Sequence, residues 1–360
     1  MDDVVVRWFQ PGDKTAYLEL YRYVFDVERG VDWFDWKYER NPYIDHVPIV
    51  VATHGGELIG ARSFFALELR LGGRPMQALQ PCDTMVHPEY RRRGLFVRMT
   101  ERAIGRYESS RTRLFFNFPN DKTLSGNLKL GWRSVGTVPT YYRIERPRRV
   151  MRSMVDDRLA HVASLVGEPL IAGYNALRNR TGNELADVSV QRFSTVPSTR
   201  LASVYRTAIP DSIHAIRDEE FYDWRFSNPC WEYTTYVATN ETKPLAGIVV
   251  GESADTEPGL VRLTDVVPLC RDRRKAETAA LIDRIVSEHS ECGLFAATEC
   301  GIGTSTLRSF GFYSDGSPPF SFLHTPTNHV VRSLTDASEN EFGSTLPSNW
   351  CLTFAEQDTS

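Results

Sequence analysis

The sequence predicts an α/β (α+β) chain: a mixed sheet with helices on its faces, present in two copies. Three observations predict it. The chain has 360 residues, too many for one ordinary domain at roughly 100–200 residues each. Short β-branched runs alternate with apolar residues at helical spacing. The chain also repeats itself in order. Asp3-Val4-Val5-Val6-Arg7-Trp8-Phe9 reads like Asp187-Val188-Ser189-Val190-Gln191-Arg192-Phe193. Asp35-Trp36-Lys37-Tyr38 before Asn41-Pro42 reads like Asp223-Trp224-Arg225-Phe226 before Asn228-Pro229. Leu130-Gly131-Trp132 reads like Phe310-Gly311-Phe312. A shared order at an offset near 180 marks a domain duplication rather than a solenoid of short repeats.

In the first copy, residues 4–6 seed a strand and residues 17–24 carry apolar side chains at helical spacing. Residues 49–52 and 58–66 flank His54-Gly55-Gly56, a turn between two strands. Residues 67–71 and 76–79 flank Gly72-Gly73, a second hairpin, and residues 83–86 read as another strand. Leu95, Met99, Ala103, Ile104 and Tyr107 share one face of a helix over 95–107. Residues 114–118 read as a buried strand and 124–130 as a short helix. The aromatics Trp33, Phe34, Trp36, Tyr38 and Tyr43 are read as core rather than as a pocket, because Trp224 and Phe226 recur in the second copy. Between the copies, Met151, Met154, Val155, Leu159, Val162 and Val166 fall at helical spacing behind Arg143, Arg146, Arg148, Arg149 and Arg152. A connecting helix packed on its domains is preferred to one lying on a membrane surface. Residues 349–354 read as a last strand. The expected layout is a catalytic domain over 1–145, a helical linker over 146–183 and a degenerate copy over 184–360.

Composition narrows the function. A net charge of −4 from 42 basic and 46 acidic residues argues against a dedicated nucleic-acid binder. With 41% hydrophobic and 11% aromatic residues the bulk folds rather than staying disordered. No run approaches the length of a membrane span, and the acidic start is unlike a signal peptide, so a cytoplasmic protein is expected. The six cysteines and eight histidines show no Cys-x-x-Cys or His-x-x-x-His pair, so neither a metal site nor a disulfide framework is expected, and the thiols are read as reduced and mostly buried.

One segment carries chemistry. After the strand at 83–86 come His87-Pro88-Glu89-Tyr90, then Arg91-Arg92-Arg93-Gly94-Leu95-Phe96 and a helix. Unpaired main-chain N–H groups at a helix start, with the helix dipole behind them, make a phosphate cradle. A glycine there allows close approach of the backbone. Eight arginines against two glutamates from Arg91 to Arg113 make the local field cationic.

This segment resembles the pyrophosphate loop of the GNAT-type acyl-CoA N-acyltransferases, Gln/Arg-x-x-Gly-x-Gly/Ala. Arg91-x-x-Gly94-x-Phe96 matches its first four positions and departs at the last. The resemblance, clear over about 1–145, implies two GNAT-like domains, each with a mixed, mostly antiparallel sheet. It implies that acetyl-CoA, the family's default acyl-CoA, is held by Arg91, Arg92, Arg93, Gly94, Leu95 and Phe96, with the backbone of Met85 and Val86 on the pantetheine arm. Asn120 looks like the polar residue that touches that arm. Asn127-Leu128-Lys129-Leu130-Gly131-Trp132 resembles the family's Tyr-x-x-Leu-Gly-Phe, whose Tyr is the usual acid for the leaving thiolate. Asn127 has no titratable proton, so another group serves or the thiolate is stabilised without one.

The implied reaction is direct attack of a primary amine on the thioester. Asp83 is a candidate base, directly or through water, or else a strand-end carboxylate paired with an arginine. His87 is a second candidate, because its ordinary pKa is near neutrality, against a purely structural role. Cys82 is read as a buried thiol. At the offset of 180, Arg271 aligns with Arg91, but Arg274 stands at the Gly94 place, Ala276 at Phe96 and Cys300 at Asn120. The second copy is therefore expected to keep the fold and lose the cofactor. The expected partner is a small-molecule amine, with oligomerisation left open. A non-catalytic acyl-CoA-binding protein and a Fem-like aminoacyl transferase are the alternatives.

Overall fold

The computed structural model describes residues 3–146, 188–253, 259–270, 272–317, 327–335 and 346–358. The linker helix expected behind Arg146 and the residue Arg271 lie outside them.

The first unit runs β1 (Val4–Trp8), α1 (Lys14–Phe25), α2 (Val31–Phe34, continued as a wider turn over Asp35–Glu39), β2 (Ile49–His54), β3 (Glu57–Leu71), β4 (Arg74–Val86), α3 (Leu95–Tyr107), β5 (Leu114–Asn117), α4 (Asp121–Lys129), β6 (Arg133–Val138) and β7 (Thr140–Ile144). The second repeats the order: β8 (Ser189–Phe193), α5 (Ser198–Thr207), β9 (His214–Ala215), α6 (Glu219–Arg225), β10 (Glu232–Asn240), β11 (Lys243–Glu252), β12 (Leu260–Val267), α7 (Lys275–Glu288), β13 (Leu294–Thr298), α8 (Thr304–Ser309), β14 (Tyr313–Ser314) and β15 (Thr327–Ser333). Apart from the short β9, each element has a counterpart in the other unit, as the sequence repeat requires.

Residues 58–66 and 67–71 are one strand, not two, and so are 76–79 and 83–86. Strands this long run from the Gly72-Gly73 turn at one end to the approach of the Arg91–Gly94 loop at the other. Both sheets are mixed and mostly antiparallel; β4 with β5 and β12 with β13 are the parallel pairs.

The sheets do not respect the expected boundary at 145. The first is ordered β1-β2-β3-β4-β5-β15-β6 and the second β14-β7-β13-β12-β11-β10-β8. Strand β7 of the first unit thus lies in the second sheet, with Ala296 opposite Tyr142. Strand β15 of the second unit lies between β5 and β6, with Val331 opposite Phe116. A hairpin needs at least about two turn residues, and only Pro139 separates β6 from β7. The chain therefore runs straight on into the other sheet instead of folding back. Arg143, expected in the linker, is a buried residue of β7.

The two units share a core. Trp36 Nε1 donates to the Trp224 carbonyl at 2.8 Å, and Trp224 Nε1 returns the bond to the Trp36 carbonyl at 3.0 Å. Trp33, Phe34, Trp36, Tyr38 and Tyr43 are all buried, as the sequence indicated. Burying indole and phenyl area here removes it from water while the paired N–H groups stay satisfied.

The C-terminal segment corrects two expectations. Residues 349–354 form no ladder beyond a single bridge from Trp350 to Ile213. The segment instead threads between the units, tied by Arg225 to the carbonyls of Phe354, Ala355 and Gln357 and by Arg217 to Glu356. Cys351 of this segment is disulfide-bonded to Cys300, with Cα atoms 5.3 Å apart, so these two thiols are not reduced. Their 51-residue separation hides the pairing in the sequence. Among the described residues, no helix is long and apolar enough to cross a membrane.

Candidate active site

Strand β4 carries the site. Ala61 faces Met85 and Ser63 faces Cys82, so Asp83 and Thr84 together stand opposite Arg62. This is a β-bulge, and Asp83 takes a left-handed φ of 39° within it. Beyond Leu79, which faces Phe115, β4 and β5 are no longer paired. The remaining length of β4, through Met85 and Val86, runs on without β5 as a neighbour, while Phe116 and Asn117 pair with β15.

At the end of β4, the His87 N–H bonds the Ile59 carbonyl, and Arg91 Nε bonds the Val86 carbonyl at 3.1 Å. Arg92 and Gly94 then adopt positive φ values of 61° and 74°, and Gly94 caps α3 with no side chain on the first-turn amides. The N–H of Arg98 makes the first intrahelical bond, to the Gly94 carbonyl. The amides of Leu95 and Phe96 therefore lie at the open end of the helix. A Cβ on Gly94 would meet no atom within 4 Å, so the glycine is required by conformation rather than by clearance within the chain. The guanidinium of Arg93 lies 5.0 Å from the Tyr90 ring centre.

On the face carrying α1 and α2, Asp83 sits in a buried polar cluster. Its Oδ2 accepts from Lys37 Nζ at 2.5 Å and from the Tyr38 hydroxyl. Lys37 also contacts Asp358 at 2.8 Å, and Tyr17 joins Tyr38 at 3.1 Å. Burial holds the Asp83 carboxyl above the usual carboxylate range, and the Lys37 ammonium opposes that rise. Lys37 itself is held charged: burial works against its ammonium, but Asp358 and Asp83 outweigh it. Burial likewise pushes the Cys82 thiol well up, which leaves it protonated. Cys82, Asp83 and Asp358 place ligand atoms within 4.8 Å of one another, yet the Lys37 ammonium already lies between the two carboxylates. The partner of Asp83 is thus a lysine, not the arginine considered from sequence.

The other expected residues fall in different places. His87 stacks on Tyr23, ring centres 4.9 Å apart, and shares no contact with Asp83. Asn120 caps α4, accepting from the Thr123 N–H at 3.1 Å. Asn127 is fully buried, and both atoms of its amide lack partners. Phe96 turns toward α4: a Cβ on Gly126 would come within 3.0 Å of its ring.

Sequence reading missed Lys37, Tyr38 and Asp358 around Asp83, and Arg62 behind the bulge. Two of these had a signal. Lys37 interrupts the aromatic run Trp33-Phe34-Asp35-Trp36-Lys37-Tyr38, and Arg62 interrupts the apolar run from Leu58 to Ala66. A charge inside a run that must be buried needs a partner or a task.

In the second unit, Arg274 takes the place of Gly94 at the start of α7 with φ −143°, and its guanidinium is bound to Glu277 at 2.8 Å. A cavity of about 650 Å³ opens beside the corresponding loop, walled by Cys270, Arg273, Glu299, Gly301 and the C-terminal residues Trp350 and Leu352. A smaller cavity of about 370 Å³ lies between the units near α2, lined by Glu28, Asp32, Trp33, Trp231 and Glu232 among others.

Residues 5–134 match the acetyltransferase (GNAT) domain family. No curated protein sequence matches the chain. Its fold is similar to that of a GCN5-related N-acetyltransferase from Anabaena variabilis, with TM-score 0.61, 11% identity, and 92% of this chain covering 73% of that one. It is similar, too, to Saccharomyces cerevisiae N-myristoyltransferase, solved with bound myristoyl-CoA and inhibitors, with TM-score 0.63, 11% identity, and 92% of this chain covering 80% of that one. Eis1 from Mycobacterium abscessus gives TM-score 0.53 at 11% identity, with 92% of this chain covering 73% of that one. The first unit thus matches the GNAT domain family over residues 5–134, and the fold of the whole chain is similar to that of these structures.

Proposed function

We propose that the chain is an N-acyltransferase that moves an acetyl or other short acyl group from acyl-CoA to a primary amine by direct attack. The observation that carries this is the cradle at Arg92–Gly94, where two left-handed residues aim the first amides of α3 outward beside a length of β4 that β5 does not pair. Oriented amides and a helix dipole suit a pyrophosphate, and the parted strands suit an extended arm ending in a thioester. The buried, unpartnered amide of Asn127 fits the same occupant, since the arm's own amides would satisfy it.

The proposed amine approaches from the α1 and α2 face. The cavity between the units presents Glu28, Asp32 and Glu232 against the one cation Arg29, beside two indoles, an acidic excess suited to a cationic acceptor. Asp83 takes the amine's proton. Its raised pKa makes it a stronger base than an exposed carboxylate, and its two contacts leave Oδ1 for the proton. The carbon–nitrogen bond forms, the carbon–sulfur bond breaks, and its electron pair stays on sulfur. The Arg274–Glu277 pair and the absence of a left-handed residue at 274 support a second unit that does not hold acyl-CoA.

The missing Tyr at Asn127 favours one other reading, an acyl-CoA-binding protein without turnover. Thiol release from acetyl-CoA with a panel of amines separates the two. Release that depends on an added amine supports transfer; tight acetyl-CoA binding with no release under any amine overturns it.

A further inference from the structure

Arg62 is 2% exposed and is bonded through Nη1 to the Thr84 hydroxyl within the bulge of β4. Its Nε and Nη2 are buried and have no acceptor among the described residues. The Phe96 ring centre lies 4.8 Å from its guanidinium carbon and that of Phe64 5.8 Å. These rings give some cation–π stabilisation, but no carboxylate pairs with it. Two of the chain's other buried cations are compensated by acids, whereas buried Arg225 is held by three backbone carbonyls and Arg262 lies against Trp231 and Phe354. Lys37 has Asp83 and Asp358, and Arg217 has Asp265 and Glu356. A buried cation without an anion is costly, and Arg62, with two donors open behind the bulge of β4, would be relieved by an anion that arrives with the substrate.

The transfer reaction makes one anion at this place. Phe96 lies between Arg62 and Gly126, the residue before Asn127 where the related enzymes carry their acid: its ring centre is 4.8 Å from the guanidinium carbon and its edge 3.0 Å from where a Cβ on Gly126 would stand. We propose that Arg62 stabilises the leaving thiolate of CoA and so replaces the absent phenol. This rests on the acyl-transfer reading. As the amine nitrogen bonds the carbonyl carbon, the carbon–sulfur pair moves onto sulfur. The two free donors of Arg62 receive that charge, the amine's proton goes to Asp83, and the thiolate later takes a proton from water. The guanidinium gives up no proton.

The test is the titration of CoA's thiol when bound, followed by the ultraviolet absorbance of the thiolate across pH. In the wild-type protein it is expected at least about one unit below that of free CoA, a tenfold gain in thiolate at a given pH. Arg62→Met is expected to return it to the free value and to lower kcat roughly 100-fold with little change in the affinity for acetyl-CoA. Arg62→Lys keeps part of the shift. A wild-type complex whose bound thiol titrates like free CoA overturns the inference without any variant, and so does an Arg62→Met protein that keeps the shift. A wild-type protein that binds no CoA overturns the acyl-transfer reading and this inference together.

Discussion

Replacing Gly94 separates two reasons for having a glycine in a phosphate cradle. Its φ of 74° is a left-handed conformation, and the chain offers no atom within 4 Å of an added Cβ. Left-handed backbone costs an ordinary L residue about 1–2 kcal/mol, and less for Asn, whose short polar side chain bonds locally. If the cradle works because α3 begins from this conformation, Gly94→Ala weakens CoA binding by the same amount, roughly 5- to 30-fold. Gly94→Asn, although larger, weakens it less. If the glycine serves instead to admit the phosphate, the order reverses and the larger Asn is worse. Calorimetric titration of CoA into the three proteins, with thermal midpoints recorded beside it, reads both. Affinity that falls in the order Gly, Ala, Asn refutes the conformational argument.

Three further outcomes are expected. Burial lowers the pKa of His214 to about 4 and of His329 to about 3. The unfolded chain thus takes up protons first, near pH 6.5, and stability that is complete above that pH declines below it. At pH 5 the two together cost about 4 kcal/mol; urea unfolding at pH 8 and pH 5 checks this, and a His329→Gln protein with an unchanged acid slope refutes the His329 share. Asp83→Asn is expected to lower kcat by about 10²–10⁴-fold while Asp358, 2.8 Å from Lys37, still compensates the lysine and preserves the thermal midpoint; unchanged turnover refutes Asp83 as base. Thiol titration of the unfolded, unreduced protein should find four of the six cysteines free, and six would refute the Cys300–Cys351 bond.

The duplication was legible because aromatic and turn residues that make the same contacts recur in the same order. Trp36 and Trp224 form one reciprocal pair across the two units. Helix α3 was legible from one apolar face and the glycine before it. The exchange of β7 and β15 was not, since strand residues show which face is buried and not which sheet receives them. The cluster around Asp83 was legible at one member only. Lys37 and Asp358 stand 321 residues apart and meet through the C-terminal segment, a contact that local spacing cannot encode. Gly94 was legible as the residue before α3, but its left-handed φ of 74° was not.

Strand β15 also sets an order of events at the ribosome. When β6 has emerged, the first sheet still has an open place between β5 and β6, and it stays open until Thr327–Ser333 is made about 190 residues later. At roughly 5–20 residues per second that is some 10–40 seconds of translation. During that interval the edges of β5 and β6 present unpaired backbone groups, the kind of edge that recruits foreign strands. β7, made early, waits in turn for β13. A gene cut between the two units therefore encodes two sheets, each lacking a strand that the other half carries. The first sheet is completed only once nearly the whole chain has been synthesised, so a truncated nascent product lacks its β15 strand.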